Sequence, residues 1–189
     1  MKAVVFDTET TGLTRLSFAN RANYRQWPRL IQLAWAEIDE DRITSRHATL
    51  IRPDNFPIPP EAVRVHGITE TEAQRCGICP AAALDDFEAS CDGAETIIAH
   101  NLNFDLGVLQ SEALRLERKI DFPPRRICTV HLGRQFLVRK KGIKRGGYPS
   151  LSRLYEILFG FGFSGSHDTA NDVTACFHIY KKLAQLGYR

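Results

Sequence analysis

The sequence predicts an α/β domain, with one central mixed sheet and helices packed on both of its faces. Three observations carry that reading. Apolar runs of strand length dominate the first fifty residues, apolar positions at helical spacing dominate after residue 60, and the whole order reads βββα-βα-βα-α. A chain of 189 residues is the size of one domain; it buries roughly 70% of its unfolded surface and needs no staple to hold a core. No internal repeat and no linker divides it, so residues 1–189 are expected to form a single domain.

Residues 2–7, KAVVFD, are an apolar run ending in an acid, the pattern of a buried strand that delivers side chains to the end of a sheet. LIQLAWAEI at 30–38 suits a second strand and Ile43 to Ile51 a third, joined by the turn Asp39-Glu40-Asp41-Arg42. Residues 14–29 between the first two strands are polar and aromatic, with Pro28, and read as a long loop. Four prolines between Pro53 and Pro60 impose an extended connection. Pro59-Pro60-Glu61 then starts a helix that Gly67 stops. A second helix opens at Pro80 and runs to about Cys91, ended by Asp92-Gly93. Thr96 to Ala99 is a strand, 103–118 a helix, Ile127 to Val130 a short strand and His131 to Val138 a helical stretch. Residues 139–149 break the pattern. Ser150 to Phe159 and Thr169 to Leu186 read as the last helices, with Ser150 and Asp168 as their caps.

Composition narrows function by exclusion. A chain 43% hydrophobic and 25% charged is not disordered, and no apolar run approaches the roughly 20 residues of a membrane helix. Asp7 and Glu9 interrupt the N-terminal apolar stretch, so no secretion signal is read there and a cytoplasmic location without membrane contact is expected. Five scattered cysteines give no disulfide framework. Cys76-Gly77-Ile78-Cys79 has a metal or redox spacing but no second pair to complete a tetrahedral site, and reads as two small apolar residues ahead of the helix at Pro80. The net charge of +3 is unevenly spread, −5 over residues 1–100 and +8 over 101–189. An acidic half gathers cations and a basic half gathers phosphate.

Three acidic sites remain to be explained. In Asp7-Thr8-Glu9, strand alternation sends residues i and i+2 to one face, so two carboxylates converge. Like charges so close call for protonation of one or for a bound cation, and oxygen-only donors favour Mg²⁺ or Mn²⁺. A solvated turn ahead of Thr-Gly-Leu is the other reading. His100-Asn101-Leu102-Asn103-Phe104-Asp105 lies where the strand at 96–99 passes into a helix, and there an Asn cap and an Asp favoured by the macrodipole explain the pattern equally well. In His167-Asp168-Thr169-Ala170-Asn171-Asp172, a cap at Asp168 leaves Asp172 one helical turn inside. From there it converges with the strand pair if the helix packs on the sheet.

A strand-borne D-x-E, then HNxxFD, then H-x(4)-D, in that order, resembles the DEDDh exonucleases, the family of the proofreading subunit of bacterial DNA polymerase III and of ribonuclease T. The resemblance takes in FDTETTGL at 6–13, PRLIQLAW at 28–35, IPPEAVRVHGIT at 58–69, IIAHNLNFDLGVL at 97–109, ICTVHL at 127–132 and SHDTANDVTAC at 166–176. It implies a ribonuclease H-like fold with a five-stranded mixed sheet, and a single exonuclease domain that hydrolyses phosphodiesters from the 3′ end with two divalent cations, Mg²⁺ or Mn²⁺. Its four acids are Asp7, Glu9, Asp105 and Asp172, and its histidine is His167. Carried over from the family, Asp7 bridges both ions, Glu9 and Asp172 complete the first, Asp105 acts through water, and His167 takes the proton of the attacking water.

The same resemblance implies a pocket for the 3′ end. Leu13 wedges beside the terminal base, Thr10 and the backbone near Thr8 hold the 3′-hydroxyl, Glu61 and His66 line the pocket, and Asn101 and Phe104 border the sugar. The loop at 14–29 is longer than in compact members of the family. The basic segment Arg139, Lys140, Lys141, Lys144 and Arg145, with Tyr148 after it, lies outside the family's motifs. Clustered cations beside one ring suit a phosphate-tracking arm, and a solvated surface is the alternative. The expected partners are 3′ ends of single-stranded or frayed DNA, with RNA as the alternative substrate and a polymerase or repair complex as a further partner. The short stretch after the last helix favours a stand-alone nuclease.

Overall fold

A computed structural model of the chain describes residues 2–141, 147–163 and 169–188. His167, Asp168, Lys144 and Arg145 lie outside the described residues, as does the side chain of Lys141. Five strands, β1 (Ala3–Thr10), β2 (Leu30–Asp39), β3 (Arg42–Leu50), β4 (Thr96–Ala99) and β5 (Arg125–Cys128), form one sheet in the order β3-β2-β1-β4-β5. The β1–β2 and β2–β3 pairs are antiparallel, while β1–β4 and β4–β5 are parallel. Around the sheet run α1 (Pro60–His66), α2 (Glu70–Cys76), α3 (Pro80–Cys91), α4 (Leu102–Arg115), α5 (Thr129–Lys141), α6 (Leu151–Phe159) and α7 (Thr169–Gln185). This five-stranded mixed sheet is the one that the family resemblance implies.

Alternation along β1 explains why both faces are covered. Ala3 and Val5 belong to a core with Val173, Ile179 and Leu183 of α7, Leu154 of α6 and Phe136 of α5. Val4 and Phe6 join the opposite core with Leu84 and Phe87 of α3 and Val108 and Leu109 of α4. A strand buried on both faces is apolar at successive positions, as AVVF is. The β2–β3 hairpin turns through Glu40 and Asp41 at φ of 45° and 64°, the left-handed pair that matches the strands' twist in a tight turn.

Several local expectations shift. β1 runs on through Thr10, so Asp7 and Glu9 lie within the strand, opposite Ala34 and Gln32. β5 begins at Arg125, two residues earlier than the apolar pattern suggests, because Thr129 already opens α5. α2 has no counterpart among those expectations; it is capped by Thr69, whose Oγ1 accepts from the Glu72 amide at 3.2 Å. Arg139, Lys140 and Lys141 end helix α5 instead of opening a loop, because the helix holds its apolar stripe through Leu137 and carries on. Asn101 precedes α4 with φ of 77° and no side-chain cap bond, so it turns the chain instead of capping it. Ser150 does cap α6, accepting from the Arg153 amide at 3.3 Å.

Cys76 and Cys79 are exposed, not two small apolar residues tucked ahead of a helix. Gly77 and Cys79 have extended backbone, with Ile78 in a β-bridge between them. At roughly 3.1–3.3 Å per residue the two cysteine Cα atoms stand about 9–10 Å apart, beyond disulfide reach.

Candidate active site

The β1 alternation divides the DTET segment between the two faces of the sheet. Asp7 and Glu9 continue the Ala3–Val5 row toward α7, and Thr8 continues the Val4–Phe6 row toward α4. The start of α7 is docked by Thr169, whose hydroxyl donates to Oε1 of Gln32, the residue opposite Glu9 in the β1–β2 register. Asp172 follows one turn later. One carboxylate oxygen each from Asp7, Glu9 and Asp172 lies within 4.8 Å of the other two.

Asp105 enters from the other face, on the first turn of α4. Thr8 Oγ1 donates to its Oδ1 at 2.7 Å, and with 2% of its surface exposed its Oδ2 has no hydrogen-bond partner among the described residues. Burial, then the negative fields of Asp105, Glu9 and Asp172, raise the Asp7 carboxyl well above the ordinary range. Burial and Asp172 push Glu9 up to about 7. Burial pushes Asp105 up to about 8, against the lowering effect of the Thr8 hydrogen bond. Four carboxylates are thus drawn out of water into each other's field. Converging oxygens with that deficit of positive charge fit a hard divalent cation, and this donor set contains no sulfur or nitrogen.

Beside the carboxylates a cavity of about 500 Å³ is lined by residues 8–13, by Glu61, Ala62, Val65 and His66 of α1, and by Phe104. Thr8, Thr10, Leu13, Glu61, His66 and Phe104 are therefore brought together. Leu13 is 90% exposed and does not close the turn as a core residue would. The Thr10 hydroxyl donates to the Gly12 carbonyl at 2.6 Å, which commits its proton to that turn. Burial holds His66 below its usual pKa, and its Nδ1 accepts from the Ile68 amide at 3.1 Å. Ala62 and Val65 carry no motif of their own, although helical spacing from Glu61 and His66 puts them on the same face of α1. Asn101 is not in this cavity. It lines another of about 390 Å³ with His100, Val130, His131, Tyr148, Pro149 and Ser150.

The fold is of the ribonuclease H-like class, its clustered carboxylates fit a divalent cation, and comparison with known proteins gives the family. The chain belongs to the exonuclease family, whose model of the ribonuclease T type matches residues 4–180. Members of this family depend on divalent metals. A putative bifunctional exonuclease/endonuclease protein of Mycobacterium tuberculosis is 29% identical over 186 residues, which is 96% of this chain and 26% of that protein. The DNA polymerase III subunit epsilon of Escherichia coli is 30% identical over 159 residues, covering 82% of this chain and 61% of the subunit. The chain thus spans less than two thirds of these curated relatives. The zinc-bound exonuclease I–ssDNA complex from E. coli superposes with a TM-score of 0.77 at 22% identity, over 98% of this chain and 40% of that one. That likeness is one of fold.

Proposed function

We propose that the chain is a metal-dependent 3′–5′ exonuclease that releases nucleoside 5′-monophosphates from single-stranded or frayed 3′ ends, DNA in preference to RNA. The convergence of Asp7, Glu9 and Asp172 beside an open, Leu13-walled cavity carries this reading. Those three carboxylates would hold two Mg²⁺ or Mn²⁺ ions, with Asp105 acting through water. When bound, the ions supply charge neutralisation at the scissile phosphate and an acidified water. His167 takes the proton from the attacking water, because a neutral imidazole accepts protons near pH 7. Leu13 wedges against the terminal base, and Phe104 borders its sugar. Glu61 and His66 flank the 3′-hydroxyl held near Thr8 and Thr10. Arg139, Lys140, Lys141, Lys144 and Arg145 offer cations to the phosphates behind it.

The preference for DNA and a polymerase or repair complex as partner are supported by relatives that include a DNA polymerase III subunit and an exodeoxyribonuclease. A cytoplasmic location goes with that reading, and no helix among the described residues is long and apolar enough to cross a membrane. A digestion panel of end-labelled single-stranded and duplex DNA and RNA, with Mg²⁺, Mn²⁺ or chelator, tests the whole proposal. Stepwise shortening from the 3′ end is expected, blocked by a 3′-phosphate. Full activity in chelator, or cleavage of a circular strand, overturns it; faster digestion of RNA reverses the substrate preference alone.

A further inference from the structure

Two cavities apart from the Leu13 pocket share a wall. One, of about 390 Å³, begins at Asn101; the other, of about 330 Å³, is lined by Arg134, Gln135, Val138 and Arg139. His131 and Tyr148 line both. The Tyr148 ring sits 5.6 Å from the His131 ring and 5.0 Å from the Arg134 guanidinium, centre to centre, and is 58% exposed. Three flat groups are therefore gathered at one place, with more than half of the tyrosine exposed.

We propose that His131, Arg134 and Tyr148 form a stacking platform for the single-stranded nucleic acid that lies 5′ of the terminal nucleotide. The proposal rests on the exonuclease reading and extends it to the path of the strand. His131, Arg134 with Gln135, and Val138 recur at helical spacing and make a stripe about 10 Å long on α5, the length of about three nucleotides at about 3.4 Å each. The stripe is fixed from behind. Phe136 and Leu137 are in the core, and a Cβ on Gly133 would come within 2.4 Å of Leu154 Cδ2, so α5 lies hard against α6.

Tyr148 is fixed from its other side. The carbonyl of Pro149, the next residue, accepts from His100 Nε2–H at 3.0 Å, and His100 Nδ1 accepts from Thr129 Oγ1 at 2.9 Å. Burial lowers the His100 pKa to about 4, so the imidazole is neutral, and that form makes both bonds with its proton on Nε2. The occupant follows from charge and shape. Thr129–Lys141 contains Arg134, Arg139 and two lysines but no acid, which favours a polyanion, and the exposed Tyr148 ring favours a base on any sequence. Asn101 of this cavity and Phe104 of the terminal-nucleotide cavity are three residues apart at the start of α4.

The test is fluorescence anisotropy of the full chain with fluorescein-labelled oligothymidylates of 2 to 12 nucleotides in chelator, beside digestion of the same strands with Mg²⁺. Tyr148→Ala and His131→Ala should each weaken binding of the 12-mer about tenfold, the usual loss of one base–aromatic stack. The loss should grow with strand length, and Tyr148→Trp should restore affinity. Arg134→Gln should reduce the slope of log affinity against log salt by about 0.7. Unchanged affinity and salt slope in these variants overturns the platform, even when the wild type digests the strand. Absence of digestion by the wild type, with the platform variants still weakened, strikes the exonuclease reading instead. Should Tyr148→Ala not fold, Arg134→Glu on the exposed side of α5 must weaken binding of the 12-mer, and unchanged affinity in that variant overturns the platform as well.

Discussion

Helix α4 buries two carboxylates two turns apart and treats them in opposite ways. Glu112, 1% exposed, accepts from Arg29 Nε at 2.8 Å, from Arg115 at 3.3 Å and from the Leu30 amide at 3.1 Å. Arg115 in turn donates to the carbonyls of Tyr24 and Trp27 at 2.9 and 2.8 Å, so this acid ties the long loop at 14–29 to the helix. Asp105, equally buried, receives the Thr8 hydroxyl and backbone amides but no cationic side chain among the described residues, and it stands in the field of Glu9. A buried charge that the protein compensates itself belongs to the scaffold; one left to its like charges marks where a cation is needed.

The largest effect that could break this contrast is on turnover. Asp7→Ala should abolish nucleotide release, with Asp172→Ala and Glu9→Ala nearly as severe, measured as 3′-end shortening under single-turnover conditions. Retained activity in Asp7→Ala would leave the acidic cluster without a role. His167→Ala should lower kcat by about 10²- to 10⁴-fold, the usual share of a general base. A base must be neutral to accept a proton, so the wild-type rate should rise with pH through the His167 pKa and then level off. A mutant that keeps the same acidic limb removes His167 from the proton transfer.

How much of this is legible in the sequence differs between the two acids. The D-x-E pair can be read from spacing because the strand period dictates its face, Asp172 joins it if its helix packs on the sheet, and Asp105 is singled out only by the family resemblance; the sheet that unites them follows from runs such as AVVF and TIIA. Glu112 cannot be read. Its partners are 83 residues back for Arg29 and three residues on for Arg115, and only the folded loop brings the first of them near. Gly107 is a second case: a Cβ there would come within 2.1 Å of the Trp27 ring, a contact between a helix and a loop that carries no local pattern. The motif groups Asn101 with Phe104, yet the left-handed turn at Asn101 sends the two into separate cavities. Local periodicity predicts faces; it does not predict which loop lies on them.

Next in size comes the scaffold side of the comparison. Glu112→Ala leaves Arg29 and Arg115 without their carboxylate and should cost about 3 kcal/mol, as the loss of one partner from a buried pair does. For a domain of this length that lowers Tm by about 6–12 °C, which calorimetry reads directly. The loop at 14–29 should then show faster amide exchange than the sheet. A Tm within a degree of wild type would mean that Glu112 is not the tie proposed.

The smallest effect isolates the uncompensated side, and it emerges in the protein freed of metal. Folding raises Glu9 from its ordinary value to about 7 and Asp105 to about 8. Between about pH 4 and pH 8 the folded chain therefore holds protons that the unfolded chain has already lost. Stability must fall as pH rises through that window, being highest where the acids are protonated in both states and lowest above about 8. Thermal scans in chelator should show Tm declining by several degrees from pH 5 to pH 8, at roughly 2–4 °C per kcal/mol. Asp105→Asn, which keeps the shape and removes the charge, should flatten much of the decline, whereas Arg29→Gln should leave its slope in place. Added Mn²⁺ should raise Tm more at pH 8 than at pH 5, because a cation binds the ionised carboxylates and stabilises the fold by mass action. A Tm that is flat or rises with pH in chelator would show that Asp105 finds in the folded chain the compensation that Glu112 has.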